Sequence, residues 1–223
     1  MHYVFHFDVV WDHFPELLTG ALLTIRLSAI AMVLGLVLGV VCAYQASAGP
    51  GPIRQAIKLY VEIIRNTPFL VQIFIFYFSL PTIGLRLDAN TAAMLAMTIN
   101  LGAYASEILR SGIEAVPRGQ IEAGRALGLS RLQIFRLIIL FPALKTVYPA
   151  LASQFILLML GSSVVSTISA VELTAITNSL QSTTFRSFEF YFVATGMYLV
   201  MALGFRASFT ALYWLVFQRG RGA

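Results

Sequence analysis

The chain has 223 residues, of which 58 % are hydrophobic and only 11 % are charged, with a formal net charge of +5. A soluble domain carries about 25 % charged residues, so this much apolar surface does not fit inside one water-soluble core, and the composition specifies an integral membrane protein. In such a chain the positive charge reports which side of the bilayer each loop occupies, so it carries no argument for a nucleic-acid partner.

Taken in order, the N-terminal stretch MHYVFHFDVVWDHFPE has neither a basic leader region nor a small-residue cleavage site, and no cleavable signal peptide is expected. It holds all three histidines, His2, His6 and His13, with no second ligand set, which argues against a metal site. An apolar run from Leu17 to Ala43 is long enough to cross about 30 Å of hydrocarbon and is the first predicted span. The single cysteine, Cys42, lies in it and forms no intramolecular disulfide.

The turn Gly49-Pro50-Gly51-Pro52 ends that run, and the second span is predicted from Ile57 to Leu80 with a kink at Asn66-Thr67-Pro68. After a short loop, Pro81 to Ala89, the third span covers Asn90 to Leu109. The fourth span is placed at Tyr148 to Ile168 and the fifth at Phe190 to Phe217, with Gln181 to Glu189 between them.

The polar stretch Ile113 to Pro149 interrupts this pattern and holds five of the fifteen cations, Arg118, Arg125, Arg131, Arg136 and Lys145. Within it Pro117-Arg118-Gly119 breaks the chain, Gln120 to Leu127 reads as a two-turn amphipathic helix stopped by Gly128, and Ser130 is placed to cap the next helix. Ile121, Ala123 or Gly124, and Leu127 are expected on one packed face, with Glu122 and Arg125 exposed. Two turns are not stable alone in water, so the helix must pack on its own membrane domain or enter a partner's groove.

On this five-span map eleven cations fall on the side of that loop, two (Arg86, Arg186) on the other, and two (Arg26, Arg206) within spans. The bias puts the loop and the C-terminus in the cytoplasm and the N-terminus outside.

Charged side chains inside spans cost about 2.5 to 3.5 kcal/mol on insertion scales and need a partner or a purpose. Glu62 and Arg65 are i, i+3 neighbours and are expected to pair, either as an interfacial ion pair or as part of a solute pathway. Asn100, Tyr104 and Glu107 recur at helical spacing and give the third span one polar face, which lines a wet cavity or glues helices together.

Three features narrow the reading. Glu122-Ala123-Gly124, Leu127-Gly128, and Ile138 and Leu140 ahead of a proline resemble the EAA loop of ABC-importer permeases. Glu62-x-x-Arg65-x-x-Pro68, Ala103-Tyr104-x-x-Glu107, Val116-Pro117-x-Gly119-Gln120 and Glu172-Leu173 fall in the order of the polar amino-acid group of that family, which includes histidine, glutamate, glutamine, arginine and opine importers. The resemblance runs from about Gly20 to the C-terminus. It departs at Leu160, where the family usually has Lys, and at Phe141-Pro142-Ala143, where the proline stands one residue late.

This resemblance implies an all-α membrane protein in one permease domain, residues 1–223, with five transmembrane helices and a cytoplasmic coupling helix in the loop of residues 113–147. It implies import of polar amino acids by alternating access in a bacterial inner membrane, with Glu122, Ala123, Gly124, Leu127 and Gly128 contacting a cytoplasmic ATP-binding subunit. Glu62, Arg65, Asn100, Tyr104 and Glu107 are the candidate solute pathway. The implied partners are that ATPase, a second permease as homo- or heterodimer, an extracytoplasmic amino-acid-binding protein and membrane lipid. The chain has no phosphate-cradling Gly-x-x-x-x-Gly-Lys-Ser/Thr loop, so ATP and Mg belong to the ATPase partner and no cofactor or catalysis to this chain. A secondary transporter with a proton site at Glu62 or Glu107, and a membrane scaffold whose basic loop binds anionic lipid, remain open from sequence alone.

Overall fold

The computed structural model describes residues 3–217; His2 and the tail with Arg219 and Arg221 lie outside them. Every regular element is helical. After a single turn, α1 (Asp8–Asp12), comes α2 (Phe14–Ala48), which begins with Pro15 in its first turn, where a missing N–H costs nothing. The chain continues through α3 (Gly51–Arg65) and α4 (Phe69–Phe74), the latter prolonged by a π turn (Ile75–Ser79) and a 3-10 turn (Leu80–Ile83), to α5 (Ala89–Glu114). Next come the short α6 (Arg118–Ala126) and α7 (Arg131–Gln133), a π segment (Ile134–Ile139), α8 (Leu140–Gly161), a 3-10 turn (Ser162–Ile168), α9 (Leu173–Thr184) and α10 (Ser187–Phe217).

Four segments are long and apolar enough to cross a membrane: Phe14–Ser47, Ala89–Glu114, Ile134–Ile168 and Ser187–Phe217. The fifth span is the pair Gly51–Arg65 and Phe69–Ile83, whose axes meet at 110°. The expected kink is therefore a full break, and its cause is local. Pro68 has no N–H to offer, so the last carbonyls of α3 must find other donors. Asn66 Nδ2 donates to the Glu62 carbonyl at 2.8 Å, Thr67 Oγ1 to Ile63 at 2.8 Å, and Gln72 Nε2 to Ile64 at 2.8 Å.

Two further expectations are corrected. The helix that carries the fourth span starts at Ile134, ahead of Tyr148, because the π segment joins α8 without a break and Lys145 lies inside one continuous helix. The stretch Gln181 to Glu189, placed between the fourth and fifth spans, holds the last turn of α9, a left-handed turn at Phe185 (φ 57) and the start of α10, and α9 itself is a helix that the span map did not include.

The core is the pairing of α2 with α5, with α8 and α9 packed on either side. Close approach rests on small residues, as is usual where lipid supplies no hydrophobic drive between helices. A Cβ at Gly39 would lie 2.6 Å from Ala105 Cβ and 3.1 Å from the Ser106 backbone nitrogen, so the two helices touch there. At the other end of the core Glu172 is fully buried and caps α9, accepting from Ala175 N at 2.8 Å and Tyr198 Oη at 2.5 Å. Thr24 of α2 joins this knot by accepting from Leu173 N at 3.0 Å, so one residue group ties α2, α9 and α10 together. Asp88 caps α5, and its hydrogen bonds from the Thr91 hydroxyl and amide hold its carboxyl below the usual range.

The close contact makes a test. Gly39→Ala is expected to cost about 1–3 kcal/mol through overpacking against backbone, lowering the thermal midpoint of the detergent-purified chain. Gly196→Ala, at a position where an added Cβ meets nothing within 4 Å, is expected to leave it unchanged or raise it. Equal midpoints for the two variants would contradict the α2–α5 contact.

Candidate functional site

The amphipathic segment folds as α6, and its C-terminus shows why Gly128 is there. The Gly128 N–H donates to the Arg125 carbonyl at 2.9 Å and the Leu129 N–H to Gly124 at 3.1 Å, while Gly128 sits at φ +74, where a side chain would be strained. Ser130 then opens the next helix reciprocally: its N–H donates to Gln133 Oε1 at 2.8 Å and its Oγ accepts from Gln133 N at 3.3 Å.

The packed face of α6 holds Ile121 and Gly124 as expected, with Glu122 and Arg125 exposed, but it excludes Leu127. Gly124 is buried, and a Cβ there would stand 2.5 Å from Ile138 Cδ1 and 3.2 Å from Ile134 Cγ1. Gly124 thus admits α6 against the π segment of its own chain. Ala123 and Leu127, one turn apart on the neighbouring strip, are exposed with Glu122, and Leu127 is 80 % exposed. Leu127 does not share the packed face because it is the first residue past the helix, carried outward by the turn at Gly128. Of the five sequence-predicted residues, two shape the helix (Gly124, Gly128) and three form an outward patch (Glu122, Ala123, Leu127).

The second group of predicted residues gathers where the broken span meets α5. A cavity of about 660 Å³ is lined by Arg54, Lys58, Glu62, Arg65, Tyr104, Glu107, Arg110 and Glu114 among others. Glu62 and Arg65 do not pair with each other. Glu62 stands 3.8 Å from Lys58, and Arg65 turns across to α5, 3.8 Å from Glu107 with its guanidinium 5.5 Å from the Tyr104 ring centroid. Arg65 is the last residue of α3, so its charge also faces the negative end of that helix. Arg110 grips Glu107 with two donors, at 3.0 and 2.5 Å, and extends to Glu114 at 2.5 Å.

The polar stripe of α5 divides at the break. Tyr104 and Glu107 line the cavity, whereas Asn100 is buried and donates to Gln72 Oε1 at 2.9 Å. Gln72 Nε2 in turn donates to Ile64, to the Thr67 carbonyl at 3.1 Å and to Thr67 Oγ1 at 2.9 Å. One amide therefore holds both ends of the broken span and the middle of α5. Gln72 was not singled out from sequence; a lone glutamine in the apolar run FLVQIFIF was the available signal, since such a side chain in hydrocarbon requires partners.

Residues 11–217 match the family model described as binding-protein-dependent transport system inner membrane component. The chain belongs to this family. It is a permease subunit of an ABC transport system, and this membership favours neither a secondary transporter nor a scaffold. It is 34 % identical over 201 residues to the glutamine transport system permease protein GlnP of Escherichia coli, covering 89 % of this chain and 92 % of that one. It is 33 % identical over 222 residues to the octopine transport system permease protein OccM of Rhizobium radiobacter, covering 95 % and 90 %. A crystal structure described as an amino acid ABC transporter with histidines superposes with a TM-score of 0.89 at 34 % identity, covering 96 % of this chain and all of the other. The methionine transporter MetNI in an inward-facing form superposes with a TM-score of 0.79 at 18 % identity, which supports the fold.

The fixed break at Pro68 is testable by a double-mutant cycle. Gln72→Leu strands the Asn100 amide and the Ile64 carbonyl and is expected to destabilise by about 1–3 kcal/mol. Combined with Asn100→Leu it should cost less than the sum of the single changes, with a coupling above the roughly 0.6 kcal/mol typical of interhelical hydrogen bonds in membranes. Strict additivity in unfolding measurements would separate Asn100 from the break.

Proposed function

We propose that this permease imports polar amino acids by alternating access, driven by ATP and Mg bound to separate cytoplasmic ATPase subunits that receive α6. The observation that carries the reading is the division of α6. Its inner face is locked to the π segment by Gly124 against Ile134 and Ile138, and its outer face presents an apolar pair, Ala123 and Leu127, left exposed by the described residues. A surface-exposed leucine beside a charged residue suits a groove on a partner, and the lock converts any push on α6 into movement of the helix that runs on to Ile168. ATP can shift the permease only through contacts that differ between two states, and the α6 contact is where such a difference enters.

Support for the substrate class comes from relatives named for glutamine and octopine and from a cavity that offers both signs of charge. A polar amino acid brings an ammonium and a carboxylate, and either buried alone costs several kcal/mol. Arg65, engaged among the described residues by a single long ion pair, is the group we assign to the carboxylate, and Glu62, paired among them with Lys58 on the exposed side, the group for the ammonium. Glu107 is already gripped by Arg110 and acts as the post that positions Arg65, with Tyr104 beneath the guanidinium. Asn100 contributes by fixing the break at the cavity's edge. The functional unit is a pair of permeases, identical or homologous, supplied by an extracytoplasmic binding protein, with the N-terminus of this chain outside and its C-terminus in the cytoplasm.

Leu127→Asp changes no internal packing and is expected to cut uptake and co-purification of the ATPase by tenfold or more, about 1.4 kcal/mol or above at the contact, while the chain inserts and melts as before. Unchanged uptake with normal ATPase recovery would overturn the α6 assignment. For orientation, Leu85→Cys in a Cys42→Ser background is expected to react in sealed cells with a reagent that does not cross membranes, and Leu127→Cys only after the cells are opened. The reverse pattern would invert the topology.

A further inference from the structure

Arg206 lies deep in α10, a helix whose apolar stretch is only 6 % buried by the rest of the chain, and among the described residues it makes no ion pair. Arg26, the other cation that the sequence placed within a span, is level with the first turn of α5, where it lines a shallow pocket with Asn90 and Thr91 at a helix end. Arg206 instead sits inside a cavity of about 590 Å³ between α8 and α10. The hydrocarbon position is costly unless an anion meets the guanidinium.

The walls say what kind of anion. Ala152, Ile156, Ala202 and Leu203 line one part of the cavity and are apolar, whereas Thr210 and Tyr213 follow Arg206 at one and two turns along the same helix face. The Thr210 hydroxyl is already used on the Arg206 carbonyl at 2.8 Å, and Tyr148, which frames the cavity from α8, donates to the Phe209 carbonyl at 2.7 Å. This leaves a guanidinium at one end and hydrocarbon at the other. A zwitterion fits poorly, because its ammonium would meet only the Ser153 and Tyr213 hydroxyls and no anionic group. An anionic amphiphile fits. Tyr213 and Trp214 stand seven and eight residues beyond Arg206, about 10 Å of helix rise, and such rings mark the membrane interface. A headgroup drawn a short way inward from that interface reaches the guanidinium, as arginine's long side chain allows.

We propose that the cleft between α8 and α10 is a specific site for an anionic phospholipid, whose phosphate pairs with Arg206 and whose acyl chain lies along Ala152, Ile156, Ala202 and Leu203. The site would tie the permease to bilayers that contain such lipids. It is separate from the charged cavity at the broken span, shares no residue with it, and stands whether or not that cavity carries solute.

The test is native mass spectrometry of the full-length chain titrated with phosphatidylglycerol and with phosphatidylcholine of the same acyl composition. Wild type is expected to bind the first about fivefold more tightly, the contribution of one arginine near an anionic headgroup. Arg206→Leu should abolish the preference, Arg206→Lys should retain part of it, and Arg118→Leu on α6 should leave it intact. Ala202→Phe keeps the cation but fills the apolar end and should also lose it, so this variant decides the matter if Arg206→Leu fails to fold. Retention of the preference in Arg206→Leu, or in Ala202→Phe, would overturn the site. Two other results would do so as well: displacement of phosphatidylglycerol by an equal concentration of oleate, which would make the ligand a carboxylate, and disulfide cross-linking of two copies through Ser153→Cys in a Cys42→Ser background, which would make the occupant a second permease.

Discussion

A proline in a helix leaves backbone carbonyls without their donors, and the architecture of this permease follows from how it meets that constraint at Asn66-Thr67-Pro68. Three side chains replace the donors that a continuing helix would have supplied, and one of them, Gln72, also reaches Asn100 on the neighbouring span. The break is thereby fixed in angle and in register against α5. Arg65, left at the end of α3, turns across to Glu107, and the charged cavity opens beside that contact. Had Pro68 produced only a gentle kink, Arg65 and Gln72 would share one helix with Glu62, and the polar stripe of α5 would face an ordinary apolar neighbour.

Outside the hydrocarbon the logic reverses. α6 is short, polar and exposed, and it is kept in place by one close contact and two terminal hydrogen bonds and not by a core. Glycine at position 124 lowers helix propensity by about 1 kcal/mol relative to alanine, yet the same absent side chain admits Ile138 to the helix backbone. The local loss is exchanged for a rigid joint. A π segment at that joint, where the helix widens before Pro142, is a feature often found at functional sites.

Much of this was legible in the sequence because it depends on short-range chemistry. The apolar runs, the stop at Gly128, the cap at Ser130 and the interruption at Pro68 all follow from residue type and spacing, and the ordered motifs were enough to indicate the family. What the sequence left hidden depends on partners distant along the chain. Glu62 and Arg65 are neighbours by spacing, but the break rotates Arg65 toward a carboxylate 42 positions away. Leu127 looked like a packed residue because helical periodicity was extended one position too far, onto the residue just past the helix and ahead of the left-handed turn at Gly128. Helix α9 carries so many Ser, Thr, Asn and Gln residues that its apolar positions did not stand out, and its start is set by Glu172 capping it within a knot that includes Thr24 and Tyr198. Arg206 was visible as a charge in a span, but only the cavity around it gave that charge a chemical context.

The central claim is that α6 and the first turns of the fourth span move as one body while the spans rearrange. Spin labels at Leu127 and Leu137, both exposed, would report the distance across that joint in the reconstituted complex, before and after ATP is added. The account predicts an unchanged, narrow distance distribution within one chain, alongside a shift between the Leu127 positions of the two permeases. A joint distance that shifts or broadens with ATP, while the positions in the two permeases stay put, would contradict it.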